Sequence, residues 1–364
     1  MARAKDLAII TGVTLASTLL LWAVTGLNTV RQNFDGPYYA VVAKSWYKHD
    51  IISSNFSFPL PLEYYPAHFP LYPFLMSLFG KTGYLNGGLI INLTASVAVA
   101  LTLYYIASKQ KWGNPLYVSL ASLFFWPRMW AVRSIASPET LFILFIISSL
   151  YFFETKRYWL AGLVGTLAVL TKSPGILLFP AFVMASKFNR KIWPTLLIPV
   201  SLILLFMFFK VQTGDFWAYF HTGDNIHLQI LPFKVFDSRQ SWVGDFWLED
   251  ILWVYLIAGI GVWRAFKVGA GLPAARLPAG QGRQVWAYFG LIYFVSILFV
   301  SHRDISRYSL PLVPIVLLGF AEVFEKKEVR WAVALLTIPM FFYTVNFLTH
   351  NTVVISNWAP FFAR

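Results

Sequence analysis

The feature that most constrains this chain is a run of roughly 20 apolar residues, repeated along its length and punctuated by small clusters of Lys and Arg. Inside a bilayer every backbone polar group has to be satisfied within its own segment, so such runs fold as helices. About eleven of them can be read, over 7–27, 85–107, 115–130, 138–153, 159–171, 174–186, 192–209, 250–266, 285–301, 309–323 and 331–348. The expectation is an all-α protein: a polytopic transmembrane helix bundle of about 11 spans, with outer-face loops and short interfacial helices, built as one domain over 1–364. Only 12% of the residues are charged, against about 25% in a soluble domain. That excludes a soluble enzyme, a disordered chain and a nucleic-acid-binding domain.

Charge orients the layout, because Lys and Arg are retained on the cytoplasmic side. With the N-terminus inside, the inner segments hold 16 basic and 5 acidic residues, and the outer segments hold 13 and 11. The net charge of +13 thus reflects orientation and attraction to anionic lipid headgroups, with membrane lipids as partners and no nucleic acid. The layout is that of a multi-pass cell-membrane protein, in the endoplasmic reticulum membrane if the cell is eukaryotic. The first run, 21 residues long with no small-x-small site after it, reads as a retained helix rather than a cleaved signal peptide. Large outer loops cover 28–69 and 211–249, and the Gly/Pro/Ala-rich loop at 268–284 reads as a flexible cytoplasmic linker. The apolar piece 71–79 is too short to cross and reads as an interfacial or re-entrant helix.

Residues 159–186 admit two readings, one long span or a hairpin. Lys156 and Arg157 before them and Arg190 and Lys191 after them all belong inside, which favours the hairpin. Its legs are then only roughly 20 Å long, so the turn TKSPG would sink Lys172 below the membrane surface.

The interiors of the spans hold essentially no ionisable residue, which argues against an ion-coupled transporter. Acids, bases and aromatics gather instead in the outer loops and span ends. Asp35, in the outer-loop element NFDGPYY, could take a proton from an attacking hydroxyl or simply cap the helix that Gly36-Pro37 opens. Glu63 and His68 stand before the Pro-rich entry to the next helix, and Tyr72 belongs with Tyr64, Tyr65 and Tyr84 to an aromatic belt or a binding wall. Glu139 opens the fourth span at its outer end. The chain has no Cys, hence no disulfide, thiol nucleophile or thiolate metal site. A divalent metal, Mg or Mn, could be held by Asp35 with Glu139 or Asp215, though no ligand spacing marks such a site.

These residues resemble the GT-C class of integral-membrane glycosyltransferases, most closely the PIG-V-type mannosyltransferases. The resemblance rests on FDGPYY and AHFPLYPFL in the first outer loop, SPETLFILF at 137–145, LAGLVGTLAVLTKSPGILLFP at 160–180, TGDFWAYF at 213–220 and SRYSLPLVP at 306–314. Two positions depart from the pattern: Phe34 stands where Trp is common, and His68 stands in place of a Phe. The resemblance implies an inverting transferase that moves a sugar, mannose in that group, from a polyprenyl- or dolichyl-phosphate-linked donor to a lipid or glycan acceptor at the outer face. It implies Asp35 as catalytic base with Glu139 as a second catalytic acid group. Lys172, Arg303 and Arg307 would hold the donor phosphate, with Glu63, His68, Tyr72, Arg133, His302 and Tyr308 around the substrates. For each cation the competing role is snorkelling at the interface. The competing functions are a lipid or glycolipid transporter or flippase, a non-catalytic membrane subunit, and a sister transferase acting on a lipid A-like acceptor.

Overall fold

A computed structural model describes residues 2–58, 60–223, 227–243, 248–270 and 284–362. Among the described residues the regular structure is helical, and extended pairing is limited to isolated bridges such as Asn33 with Thr352. Among the described residues, four helices are long and apolar enough to cross a membrane: Arg3–Thr25, Tyr84–Gln110, Arg190–Thr213 and Lys327–His350. Shorter apolar helices, among them Pro115–Phe124, Tyr158–Thr171, Ser173–Ala185 and Gln284–Leu298, complete the bundle. The segment expected to be interfacial forms the helix Leu71–Ser77. The expected linker falls largely on 271–283, outside the described residues.

The main core packs Phe142, Ile146 and Leu150 against Trp286, Phe289 and the apolar run Leu312–Leu318. Around it, Leu163, Leu204, Trp253, Leu335 and Phe342 stay half or more exposed, as suits side chains that face lipid rather than water.

The region 159–186 is a hairpin. The helix Tyr158–Thr171 stops at Lys172, whose backbone is extended. A tight turn follows, in which a Cβ on Gly175 would lie 2.6 Å from the Val169 backbone nitrogen; only glycine lets the chain fold back so closely. The return leg brings Trp193 beside Trp159, ring centroids 4.7 Å apart. A single span over the same residues would hold those two rings roughly 50 Å apart.

Three ties fix the end of the bundle that carries Asp35 and Glu139. The buried Asn92 amide donates to the carbonyls of Val132 (2.7 Å) and Ile135 (2.5 Å), closing the short helix Pro127–Arg133 and setting where Glu139–Glu154 begins. Trp126 donates to Ser306 and Ser309, which binds that short helix to the turn carrying Arg307. Gly36 lies against Ala136, where a Cβ would come 3.1 Å from its carbonyl oxygen, so the first outer loop meets the start of Glu139–Glu154 directly.

Candidate active site

These ties converge on a cavity of about 380 Å³. Its wall takes residues from polar stretches far apart in sequence: Asp35 from 28–69, Arg128 and Glu139 from 128–139, Lys172 from the hairpin turn, Tyr219 from 211–249, and Arg307. At its base lies a charge network. Glu139, the first residue of its helix and only 1% exposed, accepts through Oε1 from Lys172 Nζ (2.8 Å) and Arg307 Nε (2.6 Å). Ser137 Oγ donates to the other oxygen of the same carboxylate. Arg307 then reaches on through Nη2 to Asp35 Oδ2 at 2.7 Å. The order is Lys172, Glu139, Arg307, Asp35: one partly buried and one buried cation held by one buried anion, with a second carboxylate at the end.

The local sequence explains each placement. Phe34 adopts a left-handed backbone, φ 57°, which is costly for a bulky residue. That turn lays its ring 4.0 Å from the Arg307 guanidinium while the next residue, Asp35, takes the guanidinium edge. Asp35 occupies the cap position of Gly36–Ser45 but makes no side-chain cap bond there, and 28% of its side chain remains exposed. Arg307 comes from the short helix Ile305–Tyr308, positioned by Trp126. Lys172 is delivered by the hairpin turn, where the neighbouring Ser173 hydroxyl pairs with that of Tyr219 at 2.8 Å, fastening the 211–249 loop to the site.

Around the charges stands an aromatic wall. His68 is buried among Tyr38, Tyr39 and Tyr64, its ring edge-on to Tyr39 at 4.7 Å, and its Nδ1 has no hydrogen-bond partner. Burial pushes the His68 pKa down from 6.5 to about 4, more strongly than the Asp35 carboxylate draws it up. His302 accepts from the Asp304 backbone N–H at 3.0 Å and faces His227, ring centroids 4.4 Å apart. Its pKa also falls to about 4, through burial and then the His227 charge. Both imidazoles are therefore neutral at pH 7.

Of the residues singled out from sequence, Asp35, Glu139, Lys172, Arg303, Arg307, His68, His302 and Tyr308 line this cavity. Three do not. Glu63 is exposed on the turn Leu62–Ala67, away from the cavity. Tyr72 is fully buried and donates to the Gly88 carbonyl, so it braces the helix Tyr84–Gln110. Arg133 turns toward the first helix, where Thr18 and Ser17 each accept from it at 2.8 Å and the rings of Phe124 and Trp130 flank it. Asp215 also stands apart, exposed and paired with His221 at 2.5 Å. Sequence reasoning did not single out the ion pair of Arg128 with Asp304 (2.8 Å), His227, or the tail residues Asn351, Thr352 and Val353 in the wall. Asp304 lies among His302, Arg303 and Arg307, which the sequence did mark; no local signal marks the tail. A second cavity of about 730 Å³ adjoins the first, sharing Arg128, Arg303, Phe347 and Asn351 and adding apolar Leu248 and Phe342.

A divalent metal does not fit the carboxylates as arranged, since Arg307 already stands between Asp35 and Glu139 and Asp215 lies elsewhere. Among the described residues no group of three His, Asp or Glu side chains could hold such an ion.

Fold and cavity together define a class: a multi-pass helical membrane protein with a charged, aromatic-walled chamber opening at one end of its bundle. No protein-family model matches the chain, and no curated protein matches it. Among solved structures it is similar to ArnT from Cupriavidus metallidurans bound to undecaprenyl phosphate, with a TM-score of 0.55 and 14% identity over 92% of this chain and 63% of that one. The likeness is one of fold alone, and this chain spans less than two thirds of that chain's length.

Proposed function

We propose that this protein is a glycosyltransferase that takes a sugar, mannose in our reading, from a polyprenyl-phosphate-linked donor and passes it to a hydroxyl of a lipid or glycan at the outer membrane face. The observation that carries the proposal is the Lys172–Glu139–Arg307–Asp35 network at the base of the cavity. The GT-C fold shared with a protein bound to undecaprenyl phosphate supports it.

Each group has a task matched to its environment. Asp35, partly exposed, accepts the proton of the acceptor hydroxyl as that oxygen attacks the anomeric carbon from the face opposite the phosphate. The carbon–oxygen bond to the phosphate breaks, its electron pair stays on the phosphate, and the sugar is transferred with inversion. Lys172 and Arg307 receive the charge that develops on the phosphate oxygens. Glu139 borders the cavity but is only 1% exposed and spends one oxygen on both cations, so it serves as a positioning residue rather than as a second acid. Arg303, exposed at the rim, lies between the two cavities and reaches the donor phosphate's entry path.

Purified protein in vesicles, given a polyprenyl-phosphate mannose and screened for release of polyprenyl phosphate, tests this. Asp35→Asn should lower kcat about 10²- to 10⁴-fold. Lys172→Ala should raise donor KM about 10- to 150-fold, the loss of one charge-assisted hydrogen bond, and leave acceptor KM nearly unchanged. Donor that crosses the bilayer intact would instead establish a flippase.

A further inference from the structure

The loop between the helices Leu197–Thr213 and Glu249–Ala270 contains a segment that the proposed chemistry does not use. Residues 228–233 read Leu-Gln-Ile-Leu-Pro-Phe, without a charge. Leu228, Ile230, Leu231 and Phe233 are 62%, 95%, 59% and 50% exposed. A contiguous apolar surface of this kind marks a place of contact, because water disfavours it.

Backbone bonds fix where it lies. The His227 carbonyl accepts from Ser301 N–H (2.8 Å), while Gln229 and Phe233 donate to Phe299 (2.9 Å) and Leu298 (2.8 Å). The segment therefore runs alongside the last apolar residues of Gln284–Leu298. Leu291 and Val295 of that helix, and Leu252, Trp253 and Leu256 of the neighbouring Glu249–Ala270, are exposed in the same manner. Phe233 sets its ring edge-on to Tyr255 of the latter helix at 6.1 Å, so the segment continues the bundle's apolar exterior. Charge resumes immediately after it: Asp237 pairs with Lys234 (3.0 Å) and Arg239 (2.8 Å). Apolar residues followed by paired charges match the passage from hydrocarbon to headgroup. Both ends are anchored. Val235 is buried in the main core with Trp242 donating to its carbonyl, and His227 forms part of the cavity wall beside His302.

We propose that 228–233 is a finger inserted into the hydrocarbon of the leaflet nearest the cavity, and that it offers the apolar chain of a lipid-linked substrate a surface leading to the chamber at His227. The insertion stands on the fold alone; the guiding role rests on the transferase reading.

The chain has no Cys, so a single Ile230→Cys carrying a bimane label can be placed in phosphatidylcholine vesicles with brominated acyl chains. The label should be quenched as strongly as one at Val295→Cys and be inaccessible to aqueous iodide. Quenching by iodide overturns the finger. So does shielding from both quenchers, as a second copy or a protein partner would produce. The paired change Ile230→Ser with Leu231→Ser touches only exposed side chains. It should raise KM for a long polyprenyl donor about tenfold, from lost apolar contact, while KM for a geranyl donor and kcat stay unchanged. Equal effects on both donors, or none, overturn the guiding role. A protein quenched by brominated lipid but inactive toward every donor overturns the transferase reading and leaves the finger standing.

Discussion

The buried imidazole of His68 has a measurable consequence for stability. Its pKa is about 4 in the folded protein, against 6.5 when exposed. The unfolded chain therefore binds the proton first as the pH falls. His68 favours the folded state fully above pH 6.5, and that contribution is lost between 6.5 and 4, amounting to about 3 kcal/mol. The ring sits edge-on to Tyr39 and close to Tyr38 and Tyr64 with an unpartnered Nδ1, so a phenyl ring fits the same place. The variant His68→Phe should fold, and its thermal midpoint in detergent should fall less than the parent's between pH 7 and 4.5. The acid sensitivity that remains belongs in part to His302, whose pKa is similarly low. Identical slopes for parent and variant would show that His68 titrates in the folded state as it does in water. At this scale the sequence pointed to the right residue types but not always the right faces. Arg133 and Arg307 both sit near outer helix ends, yet one is turned toward hydroxyls of the first helix and the other toward two carboxylates. Tertiary packing alone decides that difference.

Among the elements, the hairpin around Lys172 is the most exacting. Charge on its two flanks made the turn legible, since a single span would have carried one basic cluster to the outer face. The closeness of the turn was not legible, because it depends on what lies behind Gly175. A Cβ there would meet the Val169 nitrogen at 2.6 Å and the Ala168 carbonyl carbon at 2.7 Å, both backbone atoms that cannot swing aside. Gly175→Ala should therefore destabilise the protein by about 1–3 kcal/mol through overpacking. It should also shift the turn that presents Lys172 to Glu139, raising donor KM more than acceptor KM. Thermal unfolding and two-substrate kinetics of the variant check both effects. Unchanged stability with unchanged KM would mean that the turn is slack and that Lys172 is positioned by Glu139 alone. The ion pair of Arg128 with Asp304 and the bridge from Asn33 to Thr352 escaped notice for the opposite reason. They join elements far apart in sequence and leave no periodicity or motif for a reader to find.

For the molecule as a whole, the tail gives by direct contact a same-face constraint that charge counting reached only through the number of spans. After the helix Lys327–His350 the chain returns to the first outer loop and binds it closely. Phe34 donates to the Asn351 carbonyl (3.0 Å), Val353 to that of Gln32 (2.7 Å), and Lys44 to that of Pro360 (3.0 Å). Residues 351–353 thereby become part of the cavity wall, so the loop bearing Asp35 and the tail open on one face of the membrane. The Lys/Arg distribution puts that face outside, and the same distribution puts the inner ends of the helices, with Lys111 and Ser186, on the other. Single cysteines introduced into the Cys-free chain separate the two inferences. Ser54→Cys and Ser356→Cys should react with a membrane-impermeant maleimide from the same side, and Ser186→Cys from the opposite side. If Ser54 and Ser356 label from opposite sides, the tail does not close the cavity and the arrangement around Asp35 is wrong. If they label together but from the cytoplasm, the fold stands while the charge-based orientation falls, and a donor would have to be presented from the inner leaflet. Labelling of both from outside satisfies the packing and the charge asymmetry together, and places the Asp35 carboxylate on the face to which the proposed reaction brings its lipid-linked donor.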